Sequence, residues 1–196
     1  MIINQDSKKV IEDLKQGKVV AIKTDTVYGL ICDANNIDAC DKIYKIKKRE
    51  KRKPLAIFVK SVDEVKKYVL ESEISKEIER IIEKYWPGPL TIILKKKKNL
   101  LEHITEGTDN IGIRIPNDKF LLEILNKINF PLAQTSCNIS GESEYKNVTE
   151  IENKLGSKVD LIVDGGEIND TKASTIIMII KNKIKVIREG TIKINE

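Results

Sequence analysis

Polar side chains suited to ligand binding follow the ends of two predicted strands. The segment Lys23-Thr-Asp-Thr-Val-Tyr-Gly-Leu30 offers two hydroxyls, a carboxylate and a phenol within one turn. A second turn, Thr135-Ser-Cys-Asn-Ile-Ser-Gly141, offers small hydroxyls and an amide, and its backbone N–H groups are suited to receive a nucleotide or an amino acid. Because strand ends in open α/β sheets commonly carry ligands, the two turns predict a small-molecule pocket.

Cationic residues at three places favour an anionic ligand. The basic cluster Lys47–Lys53 is closed by Pro54, and Arg188 ends the last predicted strand. Arg114 stands between isoleucines in the segment Ile111-Gly-Ile-Arg-Ile-Pro116, so it should be partly buried. A buried guanidinium needs a carboxylate partner, which either the protein or a ligand can supply.

Several common catalytic arrangements are missing from the sequence. His103 is the single histidine, and it is expected on the surface or in a loop, away from any nucleophile motif. The cysteines Cys32, Cys40 and Cys137 form no CxxC pair, so neither a zinc site nor a disulfide framework is expected. The sequence contains no P-loop and no GxGxxG motif, so an ATP site here would be of an uncommon kind.

The elements that must position these residues alternate along the chain. Helices are expected at about 7–16, 37–48, 74–85 and 118–128, with two more opening at the capping-box spacings Ser61–Glu64 and Thr149–Glu152. Strands are expected at 18–22, 55–59, 90–94, 111–115, 131–135, 160–164, 174–181 and 184–188, with a polar turn at 23–29 and a hairpin turn at 181–183. The pattern predicts a single α/β (α+β) domain over residues 1–196, built on a mixed sheet.

Composition limits the cellular compartment and the partners that we expect for the chain. The 196 residues are 40% hydrophobic and carry a formal net charge of +5, a mild excess that suits phosphate, nucleotide or RNA. No apolar stretch approaches the ~20 residues of a membrane span, and the first residues lack a secretory signal pattern. We therefore expect a cytoplasmic protein without a membrane partner.

Six motifs follow one another along the chain: Lys23–Leu30, Lys47-x-Arg49 with Lys53-Pro-Leu55, Trp86-Pro-Gly-Pro-Leu-Thr91, Ile111–Pro116, Thr135–Gly141 and Ile187-Arg-Glu-Gly190. Together they resemble one known family, the YrdC/Sua5/TsaC threonylcarbamoyl-AMP synthases. The resemblance covers about residues 7–192 and includes no extra C-terminal domain, so the short TsaC-like type is expected. It implies a twisted sheet with a concave, positively charged groove.

The resemblance implies an activity and its partners. Such enzymes convert L-threonine, bicarbonate or CO₂ and ATP to threonylcarbamoyl-adenylate and pyrophosphate, with Mg²⁺ accompanying ATP. The product serves N6-threonylcarbamoyladenosine formation at position 37 of ANN-decoding tRNAs, through a TsaD-type transferase, and tRNA or double-stranded RNA is a further expected partner.

The resemblance also implies roles for individual residues. Lys47 and Arg49 would be the catalytic pair on the ATP phosphates, and no protein metal ligand is expected. The threonine-binding residues would be Thr26, Tyr28, Arg114, Thr135 and Ser174. The ATP-binding residues would be Lys47, Arg49, Lys53, Asn110, Ser136, Cys137, Asn138 and Arg188, with Cys137 contributing mainly backbone. Glu50, Phe58 and Cys137 depart from the usual family residues.

Two alternative functions remain open from the sequence. One is a non-catalytic module that binds double-stranded RNA or tRNA, although nine aromatic residues (five Tyr, three Phe and one Trp) provide few platforms for base stacking. The other is a domain that forms carbamoyl-adenylate, as in the related part of hydrogenase maturation proteins.

Overall fold

The computed structural model describes residues 1–169, 172–180 and 183–194. Strands and helices alternate along the chain, as the sequence pattern predicted. The strands are β1 (Ile2–Ile3), β2 (Val20–Lys23), β3 (Tyr28–Asp33), β4 (Ala56–Phe58), β5 (Leu90–Lys95), β6 (Asn110–Arg114), β7 (Leu132–Ser136), β8 (Leu161–Val163), β9 (Thr175–Ile180) and β10 (Lys183–Arg188). The helices are α1 (Ser7–Lys15), α2 (Ile37–Lys47), α3 (Val62–Tyr68), α4 (Lys76–Tyr85), α5 (Glu102–Thr105), α6 (Lys119–Lys127) and α7 (Val148–Leu155).

All ten strands form one mixed sheet, in the order β1-β8-β2-β3-β7-β4-β6-β5-β9-β10. The pairs β1–β8, β2–β8, β4–β6 and β5–β9 are parallel. The pairs β2–β3, β3–β7, β4–β7, β5–β6 and β9–β10 are antiparallel. The prediction of an α/β fold with a mixed sheet is confirmed.

The helices cover the two faces of the sheet unequally. On one face, apolar residues of α2, α3, α4 and α7 pack against both halves of the sheet in a single large cluster. On the other face, α1 and α6 pack mainly over β2, β3 and β8, with Phe58 and Leu132 at the border of that cluster. The remainder of the second face, formed by β4, β5, β6 and β9, has no covering helix among the described residues.

A glycine leaves space on this uncovered part of the sheet. Gly112 on β6 lies between Ala56 of β4 and Thr91 of β5. A Cβ atom at Gly112 would stand 3.1 Å from the Cβ of Ala56 and 3.3 Å from the Cγ2 of Thr91. A larger residue would therefore fill the floor of the groove.

Side-chain caps explain where most helices begin. Asp6, Asn36, Ser61, Ser75 and Asp118 each accept a hydrogen bond from a backbone N–H group in the first turn of the helix that follows. The capping box expected at 149–152 was wrong by two residues. Asn147 caps α7, and Glu150 accepts the N–H of Lys146 in return.

Two other expectations need correction. The polar turn expected at 23–29 is shorter, because Tyr28 and Gly29 already belong to strand β3, a strand that the sequence pattern did not predict. His103 lies in the short helix α5, half-buried, with its Nε2 atom 2.8 Å from the carbonyl oxygen of Ala34. The hairpin turn expected at 181–183 falls largely outside the described residues.

Across the described ranges, every helix is too short or too polar to cross a lipid bilayer.

Candidate active site

A cavity of about 120 Å³ lies at the border between the helix-covered and uncovered parts of the second face. Strands β3, β4, β5, β6, β7 and β9 or their adjoining loops all contribute to its wall. Three arginines line it, and no Asp or Glu does so within the part of the chain that the structure describes. Seven residues singled out from the sequence meet here: Thr26, Arg49, Arg114, Thr135, Ser136, Ser174 and Arg188.

A larger cavity of about 440 Å³ continues along the groove floor. It shares Arg49 and Thr91 with the first cavity, and Lys53 and Asn110 stand at its rim. Apolar side chains, among them Ile93 and Met178, form much of its wall. The two cavities thus make a continuous groove, with a compact cationic end and a wider apolar end.

Arg114 is the most constrained charge in the compact end. Its side chain is almost fully buried, and its Nη2 atom lies 2.5 Å from a carboxylate oxygen of Asp25. Its Nε atom donates to the Gly88 carbonyl at 2.9 Å, and Nη1 donates to the Thr26 hydroxyl at 3.2 Å. Burial lowers the pKa of the guanidinium, and Asp25 opposes that shift, so Arg114 keeps its charge.

The fork of Arg114 retains donors for a ligand. A guanidinium has five N–H groups, and the bonds to Gly88, Thr26 and Asp25 use three of them. The other Asp25 oxygen accepts the backbone N–H of Asn117, which fixes the carboxylate. The protein carboxylate that the sequence left as one alternative for Arg114 is therefore Asp25. The other two N–H groups suit a ligand carboxylate at the cavity wall.

Lys47 does not line either cavity, contrary to its expected place on a phosphate. Lys47 as a whole is 1% exposed, and its ammonium group lies within 2.5–2.8 Å of three oxygens: the carbonyls of Ser136 and Asn138 and the side-chain oxygen of Asn138. Burial, together with the nearby charge of Arg49, lowers the pKa of Lys47 to about 8. Lys47 thus ties the end of α2 to the turn that follows β7.

Two backbone N–H groups of that turn, those of Cys137 and Ser140, are bonded within the protein. The N–H of Cys137 donates to the Tyr28 carbonyl at 2.7 Å, and the N–H of Ser140 donates to the Lys47 carbonyl at 2.9 Å. Asn138 is buried, and its oxygen accepts from both Lys47 and the Ser136 hydroxyl. Cys137 is fully buried, and burial raises the pKa of its thiol to about 12.

Tyr28 also lies outside the cavity that it was expected to line. Its side chain is fully buried, and its hydroxyl donates to the Gly166 carbonyl at 2.9 Å. The same hydroxyl accepts the N–H of Gly165 at 3.1 Å. Tyr28 therefore positions the loop after β8, which leads towards Ser174.

A small hydroxyl cluster closes the wall near the start of β9. The hydroxyls of Thr91 and Ser174 are 3.0 Å apart, and Arg188 donates to the Ser174 carbonyl at 2.7 Å. Arg49, on the opposite rim, donates to the carbonyls of Lys53 and Pro54 at 3.0 Å. Burial lowers the pKa of both arginines without removing their charge.

The structure shows the surroundings of two residues that depart from the family pattern, Glu50 and Phe58. Glu50 pairs with Arg52 and lines neither cavity, so it does not place an acid on the cavity wall. Phe58 does line the compact cavity, and its ring lies 5.5 Å from the Arg114 guanidinium. An aromatic face thus supports the cation from the sheet side.

Several known proteins of similar sequence are named threonylcarbamoyl-AMP synthase. A putative threonylcarbamoyl-AMP synthase of Methanocaldococcus jannaschii is 43% identical over 196 residues, which covers 98% of this chain and 91% of the relative. The structure of Pyrococcus abyssi Sua5 complexed with L-threonine matches with a TM-score of 0.89 and 30% identity, over 97% of this chain and 57% of that one. Escherichia coli YciO matches with a TM-score of 0.86 and 25% identity, over 97% and 94%.

The fold, the cationic groove and these relatives define an enzyme of the nucleotidyltransferase class. The chain belongs to the Sua5/YciO/YrdC family, described as "Telomere recombination", which matches residues 12–190. The family predicted from the sequence is confirmed. The chain spans 53% to 66% of the length of several other curated threonylcarbamoyl-AMP synthases.

Proposed function

We propose that the chain joins L-threonine, bicarbonate or CO₂ and ATP into threonylcarbamoyl-adenylate and releases pyrophosphate. The main support is the unused part of the buried Arg114 fork, in a compact cavity that opens into a wider groove. Such a fork suits the carboxylate of an amino acid, and the wider groove has the size and apolar wall that a nucleoside needs. The relatives named threonylcarbamoyl-AMP synthase support the same reaction.

The chemistry fits a site without a protein nucleophile. The neutral amine of threonine captures CO₂ to give a carbamate, and a carbamate oxygen then attacks the α-phosphate of ATP. Pyrophosphate leaves with the electron pair of the broken P–O bond. The protein has to align the two substrates and supply positive charge, which can lower the barrier of such a step by several kcal/mol.

The roles within the groove follow from the positions of the side chains. Arg114 and Thr26 would hold threonine, with Thr135 and Ser174 at the same cavity wall. Arg49 and Arg188 would face the phosphates, while Lys53 and Asn110 would contact the nucleoside end. Lys47 and Asn138 would act as positioning residues, because their polar atoms are engaged inside the protein.

Mg²⁺ would enter with ATP rather than on protein ligands. Among the described residues, no group of three or more His, Cys, Asp or Glu side chains could hold a metal ion. Magnesium commonly keeps several waters and binds through substrate phosphates, so the residues present fit a metal carried by the nucleotide. Bound there, it would neutralise phosphate charge.

The product would pass to a TsaD-type transferase for N6-threonylcarbamoyladenosine formation at position 37 of ANN-decoding tRNAs. Pyrophosphate release tests the proposal, with threonine, bicarbonate and ATP omitted one at a time. Release that needs all three supports it. Release that depends on carbamoyl phosphate would indicate a carbamoyl-adenylate synthase instead. RNA binding without any release would indicate a non-catalytic RNA-binding module.

A further inference from the structure

Gln134 on β7 faces the compact cavity with an amide that the protein does not use. It lines the cavity and is half-buried. Throughout the described part of the chain, its side chain makes no hydrogen bond, whereas the hydroxyl of the neighbouring Ser136 is bonded to Asn138. A half-buried amide that faces a binding cavity with its donors and acceptor free is available to a ligand.

Strand register places Gln134 on the groove face of the sheet. It pairs with Ala56 of β4 and with Ile31 of β3, whose side chain belongs to the cluster on that same face. Thr135, its neighbour, pairs with Leu30, which belongs to the cluster on the opposite face. Because directly paired residues share a face, Gln134 projects from the groove floor and Thr135 does not.

The pairing of strands on the groove floor sets the distance between Gln134 and Arg114. Arg114 pairs with Phe58 on β4, and Gln134 pairs with Ala56 two residues earlier on that strand. With β4 between them, β7 and β6 lie roughly 10 Å apart across the floor. Gln134 and Arg114 both line the same compact cavity, and its volume of about 120 Å³ is on the scale of one amino acid.

We infer that Gln134 is a specificity-determining residue that hydrogen-bonds the β-hydroxyl of the amino-acid substrate. The inference rests on the proposed function, in which Arg114 holds the carboxylate at the other side of the cavity. An amide can donate to a hydroxyl or accept from it, and a site built to bond a hydroxyl strongly rejects an analogue that lacks one. Gln134 would thereby select threonine over valine, which has the same shape.

The test compares threonine and valine as ligands of the full chain in the presence of a non-hydrolysable ATP analogue. Isothermal titration calorimetry gives both affinities for the native chain, Gln134→Met and the control Gln5→Met, which alters an exposed glutamine. The preference for threonine over valine should fall at least about tenfold in Gln134→Met and stay unchanged in Gln5→Met. Affinity for the nucleotide should change little in both variants.

Other outcomes separate this inference from the proposed function. An unchanged preference in a folded Gln134→Met overturns the inference, and so does an equal loss of affinity for both amino acids. If Gln134→Met does not fold, Gln134→Leu is judged by the same ratio. A native chain that binds no threonine contradicts the proposed function itself, before any variant is compared.

Discussion

Arg114 combines two tasks that a lysine could not perform together. It neutralises the buried carboxylate of Asp25, and it keeps two N–H groups for a ligand. A lysine ammonium is a point charge with three donors and no planar fork. Arg114 therefore fixes the cavity wall through Asp25, and under the proposed function it would also hold the substrate carboxylate.

Replacing Arg114 with lysine should weaken threonine use far more than ATP use. The lysine can still pair with Asp25, but it loses the bidentate contact to the substrate, so KM for threonine should rise about 10- to 100-fold. Steady-state pyrophosphate release measures both KM values. The exposed Arg80 on α4 provides the matched control Arg80→Lys. An unaltered KM for threonine in a folded Arg114→Lys would show that the carboxylate binds elsewhere.

Because Lys47 is buried, its ionisation makes the free energy of unfolding depend on pH. Its pKa is lowered to about 8 by burial, against about 10.4 in an unfolded chain. Below pH 8 the amine is protonated in both states, so the full cost of burying the cation is present. Between those two pKa values the folded chain releases its proton first, and the contribution of Lys47 to the free energy of unfolding rises by roughly 3 kcal/mol.

Urea denaturation of the native chain and Lys47→Met should show this rise directly. The variant does not titrate at this position, so the native chain should gain stability relative to it between about pH 8 and about pH 10. The control is Lys45→Met, which changes an exposed lysine of the same helix. The stability difference between the native chain and this control should not grow over the same pH range. A stability difference that is constant with pH would mean that Lys47 has an ordinary pKa.

At the scale of elements, the loops after β7 and β8 are held by buried side chains of other elements. Lys47 at the end of α2 holds the first loop, and Tyr28 at the start of β3 holds the second. Both residues were expected in ligand contact, because the sequence motif marks them without saying which way they face. Their structural effect on the site is indirect, through the loops that they fix.

Tyr28→Phe removes one hydroxyl and leaves the Gly165 N–H and the Gly166 carbonyl without their partner. The free energy of unfolding should fall by about 0.5–1.5 kcal/mol, since both groups lose a part-buried hydrogen bond. Chemical denaturation measures it. Tyr85→Phe is the control, because the Tyr85 hydroxyl makes no hydrogen bond in the described part of the chain. Equal stability of the two variants would contradict the role given to Tyr28.

The sequence predicted most elements, and its errors have physical causes. Helices α2 and α6 were placed within about a residue, because their apolar spacing and their caps agree. Strand β3 was missed because its first residues, Tyr28 and Gly29, continue a polar motif that resembles a turn. Asp25 stood in that motif, but its pairing with Arg114 spans 89 positions and depends on the fold.

Some residues of the site could not be predicted from the sequence. Gln134 carried no signal of its own, since a glutamine in an apolar strand is an ordinary residue, and Thr91 was marked only as the end of the Trp86–Thr91 motif. Their importance comes from the uneven helix cover of the sheet, which leaves one stretch of floor open. Nothing in the local sequence pattern reports that a strand face lacks a helix above it.

At the scale of the whole molecule, one bare stretch of sheet joins a compact cationic cavity to a wide apolar one. Strands from both halves of the chain supply its floor, so the groove forms only when the complete sheet has assembled. Two substrates of different character can thus meet at the residues that both cavities share, such as Arg49 and Thr91. The proposed carbamate and the α-phosphate would react at this junction.

Transfer of labelled carbon into the product tests the central claim most directly. The native chain is incubated with ATP, L-threonine and ¹³C-bicarbonate, and the nucleotide products are analysed at once by mass spectrometry. The account predicts an adenylate that contains threonine and carries the label in its carbamoyl group. An unlabelled threonyl-adenylate, or no threonine-containing adenylate from a folded chain, would contradict it.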